Sequence, residues 1–232
     1  DASDPKTLKT SNCGVSEDVV ANEGDEVRCW MDKSGRTNHM EAGENQAATW
    51  LPDAKNGFGA LNFGGNHFYT GILPGLTGAQ AHTIFIVNAL ESGSTADQYL
   101  LRIGNGGENG SLHISRIAGS IIKHGFWHND HTYTSTDDGT YKIQAFDYDG
   151  GSGDTSSRHA WEQGQPVTPG EDDATGNPLA LSENPPAWVG ARDMNRDHSS
   201  GQIAEILVFD RVLSDEERIG ISLLLALKWG SF

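Results

Sequence analysis

The sequence predicts an all-β protein folded as a sandwich of antiparallel sheets, and three observations carry the prediction. Gly is abundant, at 29 of 232 residues. Clusters of Asn, Asp, Ser and Gly interrupt the chain at short intervals, which suits turns and disfavours a helical bundle. Between them lie short runs rich in β-branched and aromatic residues, the composition of strands. A chain of this length buries a substantial core, and residues 1–232 read as one domain.

Taken in order, the chain opens with a polar loop bounded by its two cysteines, Cys13 and Cys29. A disulfide closing that loop contributes about 3 kcal/mol on the chain-entropy argument and implies an exported protein, secreted or on the cell surface. The opening Asp1, without Met, reads as a mature or excised chain that is part of a larger multidomain protein. "DKSG" at 32–35 has turn composition, with Asp32 able to bond nearby amides and Gly35 free to take positive φ. Strands follow at "GALNF", "HTIFIVNAL", "YLLRIG", "SLHISRI", "HTYTS", "YKIQAFDYD", "RHAW", "AWVGAR" and "IAEILVFD", each bounded by turn residues. The Pro-, Gly- and acid-rich stretch from Glu162 to Pro186 is expected to wrap an edge of the sandwich. The last element is a helix. Ser214 is its N-cap, Glu217 completes a capping box, and Asp215 and Glu216 favour the positive end of the dipole. Ile219, Leu223 and Leu227 form a row at i, i+4, i+8, broadened by Ile221, Leu224 and Leu225, which predicts burial on more than one side.

Charge and hydropathy exclude several functions. With 32 acidic against 16 basic residues the formal charge is −16. Nucleic acid and anionic lipid surfaces are therefore repelled. No apolar run approaches the roughly 20 residues that span a bilayer, so membrane insertion is not expected.

Two stretches carry a resemblance. "GDEVRCWMDKSGRTNHM" resembles the opening of laminin G-like, concanavalin A-like jelly-roll domains of bacterial secreted and surface proteins, through Gly24, Val27, Trp30, Asp32, Ser34 and Gly35. "GQIAEILVFDRVLSDEERIGISLLLALKWG" is similar to their closing signature, through Gly201, Ile203, Ala204, Glu205, Leu213, Ser214, Glu217, Lys228, Trp229 and Gly230. The resemblance implies a concanavalin A-like jelly-roll β-sandwich with a C-terminal helix. It also implies a lectin, adhesion module, carbohydrate-binding module, glycoside hydrolase or polysaccharide lyase, so function rests on the site.

The alternating carboxylates of the hydrolases, of type E-x-D-x-x-E, are missing. Glu205 and Asp210 stand five apart, on opposite faces of a regular strand. Three histidines, His124, His128 and His131, have the i, i+4, i+7 spacing of a zinc site on a helix. Gly125, Asn129, Asp130 and the Thr-Tyr-Thr run make the segment loop and strand instead. Oxygen ligands for calcium are offered by Asp193, Asn195 and Asp197 at alternate positions, and by Asp147, Asp149 and Asp154. Sugar binding needs exposed aromatics beside polar groups. A hairpin turning at "TDDG" would place Tyr133 opposite Lys142 and His131 opposite Gln144. His131, Tyr133, Lys142, Gln144, Phe146 and Tyr148 would then form one outer face, walled by Trp127 and Trp161. The leading expectation is a non-catalytic module that binds a glycan or polysaccharide. The alternative is a lyase or hydrolase of acidic or marine polysaccharides using His131, Tyr133 and Lys142 as base, acid and charge neutraliser.

Overall fold

The computed structural model describes residues 1–15, 18–117, 120–154, 156–170 and 175–230. Two antiparallel sheets face each other in a jelly-roll-like sandwich. Among the described residues one sheet has nine strands, in the order β1 (Leu8–Lys9), β2 (Cys29–Trp30), β3 (Met40–Glu41), β6 (Tyr69–Ile72), β15 (Pro186–Val189), β8 (Gln98–Gly104), β9 (Ser111–Ile117), β10 (Ile121–Gly125) and β11 (Asp130–Thr134). The other has seven, in the order β14 (Gln165–Pro166), β13 (Arg158–Glu162), β12 (Lys142–Tyr148), β7 (His82–Leu90), β16 (Ser200–Phe209), β5 (Phe58–Gly64) and β4 (Thr49–Lys55). Each run expected to be a strand forms one. The short strands β1 to β3, β6 and β14, along with β4 and β10, were not anticipated.

The inter-sheet core is filled from both sides at alternate positions, by Leu61, Phe63, Ile84, Ile86, Ile114 and Phe146 among others. A second apolar layer lies outside the seven-stranded sheet, where Phe85, Val87, Ile143, Ala145 and Ala204 meet the helix α1 (Asp215–Trp229). The capping box forms as expected: the Ser214 hydroxyl accepts from the Glu217 amide and the Glu217 carboxylate accepts from the Ser214 amide. Cys13 and Cys29 form the expected disulfide, with Cα atoms 5.1 Å apart. Asp32 accepts from the Ser34 amide at 2.8 Å, and Gly35 takes φ +80°. Of the long stretch expected to wrap an edge, residues 171–174 lie outside the described residues, and the part before them runs along the sheets. Val167 bonds back to Ala160, and Gly170 donates to Thr132, so the segment passes from one sheet to the edge of the other.

One expectation for the helix is overturned. The side that meets the sheet carries Arg218, Ser222, Leu225, Ala226 and Trp229, spaced at helical period. The Ile219, Leu223, Leu227 row lies about one residue's rotation away and faces out, with Leu227 72% exposed against 0% for Trp229. A single helix on one sheet face is covered on one flank only, so a wide apolar surface cannot all be buried. The last strand likewise is covered on both sides at Ile203 and Ala204 but is only partly covered from Glu205 to Phe209. The chain ends are tied together: the Lys228 ammonium binds the Asp1 carboxylate at 2.9 Å and Glu205 at 2.8 Å.

Candidate functional site

The hairpin expected between "HTYTS" and "YKIQAFDYD" does not form. β11 pairs with β10 in the nine-stranded sheet, whereas β12 pairs with β7 and β13 in the other, so residues 135–141 cross between layers. The alternation itself holds. Gln144, Phe146 and Tyr148 share one face and Ile143 and Ala145 the other, but the first face looks into the inter-sheet core. His131 and Tyr133 look into the same core from the opposite sheet and are 0% and 2% exposed. The Tyr133 hydroxyl donates to the Arg158 carbonyl at 3.2 Å, and that of Tyr148 to the Gly151 carbonyl at 2.7 Å. Gln144 is buried between Asn88 and Glu162, and Lys142 reaches Asp138 at 3.0 Å. The platform of six side chains is thus core and edge, and His131, Tyr133 and Lys142 do not converge. Trp161 lies on the far side of the molecule, under the helix, with the Arg218 guanidinium 4.0 Å above its ring.

Trp127 is the predicted residue that stands at a surface. It is half-buried at the tip of the β10–β11 connection, where Trp127 and His128 take φ +56° and +59°. That pair of left-handed residues makes a tight turn with the twist of the strands, and the Phe126 amide donates to the Asn129 carbonyl at 2.9 Å. The turn is held from beneath by Arg158, 1% exposed, whose guanidinium donates to the His124 and Asn129 carbonyls at 3.0 and 2.9 Å and to the Asn129 side chain at 3.0 Å. Asn129 in turn donates to Asn109 at 3.0 Å and to the Asn177 carbonyl at 2.6 Å. Of the three histidines, His124 and His131 are directly opposed across β10 and β11 and buried, while His128 is exposed on the turn. Among the described residues no three His, Cys, Asp or Glu side chains are arranged to hold a metal ion.

Beside Trp127 the outer face of the nine-stranded sheet carries a polar row. Register sets Thr70, Trp188, Arg102, His113, Gly125 and Asp130 side by side across six strands, so all lie on one face. Tyr99, Ser115 and Lys123 form the next row on the same face, and Ser111 lies beyond His113. The Arg102 guanidinium covers the Trp188 ring at 4.8 Å and donates to the Arg192 carbonyl at 2.6 Å. Arg192 extends over the Trp127 ring at 5.5 Å and binds Asp197 at 2.9 Å. The His113 ring stacks on Tyr99 at 5.4 Å, and its Nε2 lies 3.4 Å from Asp130, which also binds Lys123 at 2.9 Å. Gly125 is required here: a Cβ would come within 2.2 Å of both the His113 ring and the Asp130 carboxylate.

Electrostatics follow from this packing. Burial pushes the His113 imidazole below its ordinary value against the pull of Asp130, so it is neutral at pH 7. Burial would raise the Asp130 carboxyl, but His113 and Lys123 hold it well below the usual carboxylate range. Burial raises the Tyr99 phenol to about 12. The Ser111 and Ser115 hydroxyls, the Arg102 Nε and the His113 Nδ1 are buried without hydrogen-bond partners among the described residues. Polar groups in that state are ordinarily completed by water or a ligand.

The carboxylates of the alternate-residue loop lie beside arginines. Asp193 lies 3.8 Å from both Arg192 and Arg196 and accepts from the Asn195 amide, while Asp197 is paired with Arg192. Asp147 pairs with His159 at 2.9 Å, and Asp149 and Asp154 accept from amides two residues on. Among the described residues Asp147, Asp149 and Asp154 form no group that could hold a metal ion. Sequence reasoning missed the row itself. One local signal existed: Ser111, His113 and Ser115 alternate with Leu112 and Ile114, which marks a strand with one polar face.

No family model and no curated protein matches the chain. Solved structures share its fold. Trypanosoma rangeli sialidase in complex with sialic acid superposes with a TM-score of 0.57 at 14% identity, over 95% of this chain and 32% of that one. The botulinum neurotoxin serotype G binding domain gives 0.52 at 12% identity, over 84% and 50%. The CBM40 of the Ruminococcus gnavus IT-sialidase gives 0.48 at 17% identity, over 62% and 84%. The chain thus spans a third of the sialidase and half of the toxin domain. At these identities the likeness is one of fold.

Proposed function

We propose that the chain is a non-catalytic carbohydrate-binding module of the laminin G-like kind, belonging to a larger exported protein, and that it takes its glycan on the outer face of the nine-stranded sheet beside Trp127. One observation carries the reading. A bulky aromatic is held in left-handed backbone at the rim of a row of polar groups, several of them buried and lacking partners. Backbone strain of this kind persists where the surroundings enforce it and is concentrated at ligand sites. An aromatic face stacks on a pyranose, and the adjacent Arg192, Arg102 and Lys123 donate to hydroxyls or carboxylates. The names of fold neighbours, a sialidase solved with sialic acid and a toxin binding domain, agree with this reading without carrying it, because one fold hosts many functions.

Glycan arrays followed by affinity electrophoresis on the best polysaccharide test the proposal. Trp127→Ala should weaken binding at least about tenfold, near 1.4 kcal/mol, at unchanged melting temperature. Arg192→Ala should do the same, whereas Trp161→Ala, on the far side, should leave affinity unchanged. Retention by no polysaccharide at all would sink the reading. The same titrations in EDTA examine calcium at Asp193, Asn195 and Asp197: an unchanged affinity and melting temperature would remove it.

A further inference from the structure

We propose that the glycan taken on the face beside Trp127 carries an isolated acidic group, a carboxylate or a sulfate, and that Arg102 is the residue that selects it. Such a ligand presupposes the glycan reading above and narrows it to one class of sugar.

Charge pairing singles out Arg102. Elsewhere in the chain arginines meet carboxylates: Arg36 meets Asp210, Arg116 meets Asp137, Arg211 meets Glu217 and Arg218 meets Asp215. On the glycan face Lys123 is matched by Asp130 and Arg192 by Asp197, both at 2.9 Å. Arg102 is 8% exposed, and its contacts are the Arg192 carbonyl and the Trp188 ring. Among the described residues no carboxylate lies within ion-pair distance of it. Burial works against its charge, and Asp193 supports that charge only from farther off, being shared between Arg192 and Arg196 at 3.8 Å from each. A buried charge without a partner is costly, and with 32 acidic residues against 16 basic ones the chain does not lack acids.

The guanidinium is held as a fork. Nη1 donates to the Arg192 carbonyl at 2.6 Å, and Cζ lies 4.8 Å from the centre of the Trp188 ring. These two contacts fix its orientation. Nε is buried without a hydrogen-bond partner, and Nη2 makes no hydrogen bond among the described residues. The N–H of Nε and one N–H of Nη2 point the same way on a guanidinium. The unused edge is thus the one that meets two oxygens of a carboxylate or sulfate side by side. Gly106 borders it, in left-handed backbone at φ +87°, where a Cβ would come to 3.1 Å from Nη2. A larger residue there would crowd the fork.

The fork belongs to the same face as Trp127. Arg102 stands two strands from Gly125 in the cross-strand row, about 10 Å away, and Trp127 follows two residues later. Arg192 bridges them, with its carbonyl on Arg102 and its guanidinium 5.5 Å from the Trp127 ring. On the other side of Arg102 lies Trp188, a second half-buried aromatic. One sugar does not reach from Trp127 to the fork, so the ligand is an oligosaccharide that stacks on Trp127 and brings its acid to Arg102. One fork takes one acid. The formal charge of −16 repels a dense polyanion, which leaves an acid standing alone among neutral sugars as the group that fits.

The test is a glycan array that carries each oligosaccharide in neutral, singly carboxylated and singly sulfated form. Calorimetry then compares the best acidic ligand with its carboxyl-reduced or desulfated counterpart. The acidic form should bind at least about tenfold more tightly, and the two acidic arms tell which oxyacid is taken. Arg102→Lys keeps the charge without the fork and should lose most of that preference. Arg102→Gln should abolish it, with affinity for the neutral form unchanged. Equal affinity of the acidic and neutral forms in the unaltered chain would overturn the proposal, whether or not a variant folds. A preference that survives Arg102→Gln would overturn it too, and would make the arginine purely structural. Binding of neutral glycans alone, still weakened by Trp127→Ala, would refute the acidic group and leave the glycan face standing. Retention of no glycan would remove both.

Discussion

Trp127 and His128 occupy turn positions where Asn and Gly are favoured. Left-handed backbone costs an L-residue about 1–2 kcal/mol, and here the Arg158 and Asn129 net beneath the turn holds it in place. His128 is exposed, so His128→Gly should raise stability by about 0.5–1 kcal/mol in thermal or denaturant unfolding, with glycan affinity intact if Trp127 alone carries the contact. At this scale the sequence was half legible. The alternation of Gln144, Phe146 and Tyr148 could be read from period two, but the layer that face looks at could not. Arg102 and His113 face each other across the consecutive strands β8 and β9, but Trp188 joins them only through register with β15, which is far away in sequence, so no local spacing reports the whole row.

The helix shows a similar division between elements. Its existence and start followed from the Ser214 capping box, a local feature fully written in four residues. Its orientation did not, because both the Leu225–Trp229 stripe and the Ile219–Leu227 row are apolar and only the sheet beneath selects one. Trp229→Ala should therefore cost about 3–5 kcal/mol, whereas Leu227→Gln should stay within about 0.5 kcal/mol, both read as shifts in urea midpoint at constant slope. The crossover at 135–141 failed the sequence reading for a related reason. "TDDG" has hairpin composition, and the Asp138 carboxylate does make a local turn by accepting from the Thr140 amide at 2.9 Å. What carries the chain to the other sheet instead is tertiary. β12 finds partners on both edges, in β7 and β13, and leaves none for β11.

Across the whole molecule, the inter-sheet core holds histidines that titrate out of the ordinary range. Burial lowers His82 to about 4, and His124 beside it falls well below its ordinary value, by burial first and then by Arg158. The unfolded chain protonates each near 6.5, while the folded chain does so only at lower pH. Above pH 7 both states are neutral there, and no stability depends on the difference. As pH falls from 6.5 towards 4 the unfolded state gains protons that the native state refuses, so stability drops by about 1.4 kcal/mol per pH unit for each such histidine. The melting temperature should decline across that window, and His82→Gln should flatten the decline. The depressed Asp130 acts only below its ordinary value near 4, outside the window.

The union of Lys228 with Asp1 and Glu205 also has a mechanical meaning. Because the first residue and the last turn of the helix meet at one point, tension applied through the two ends enters and leaves the molecule there. The load falls first on the clasp, on the helix seated by Trp229, and on β16, which carries Glu205 and accepts the Ala2 amide at Ala204.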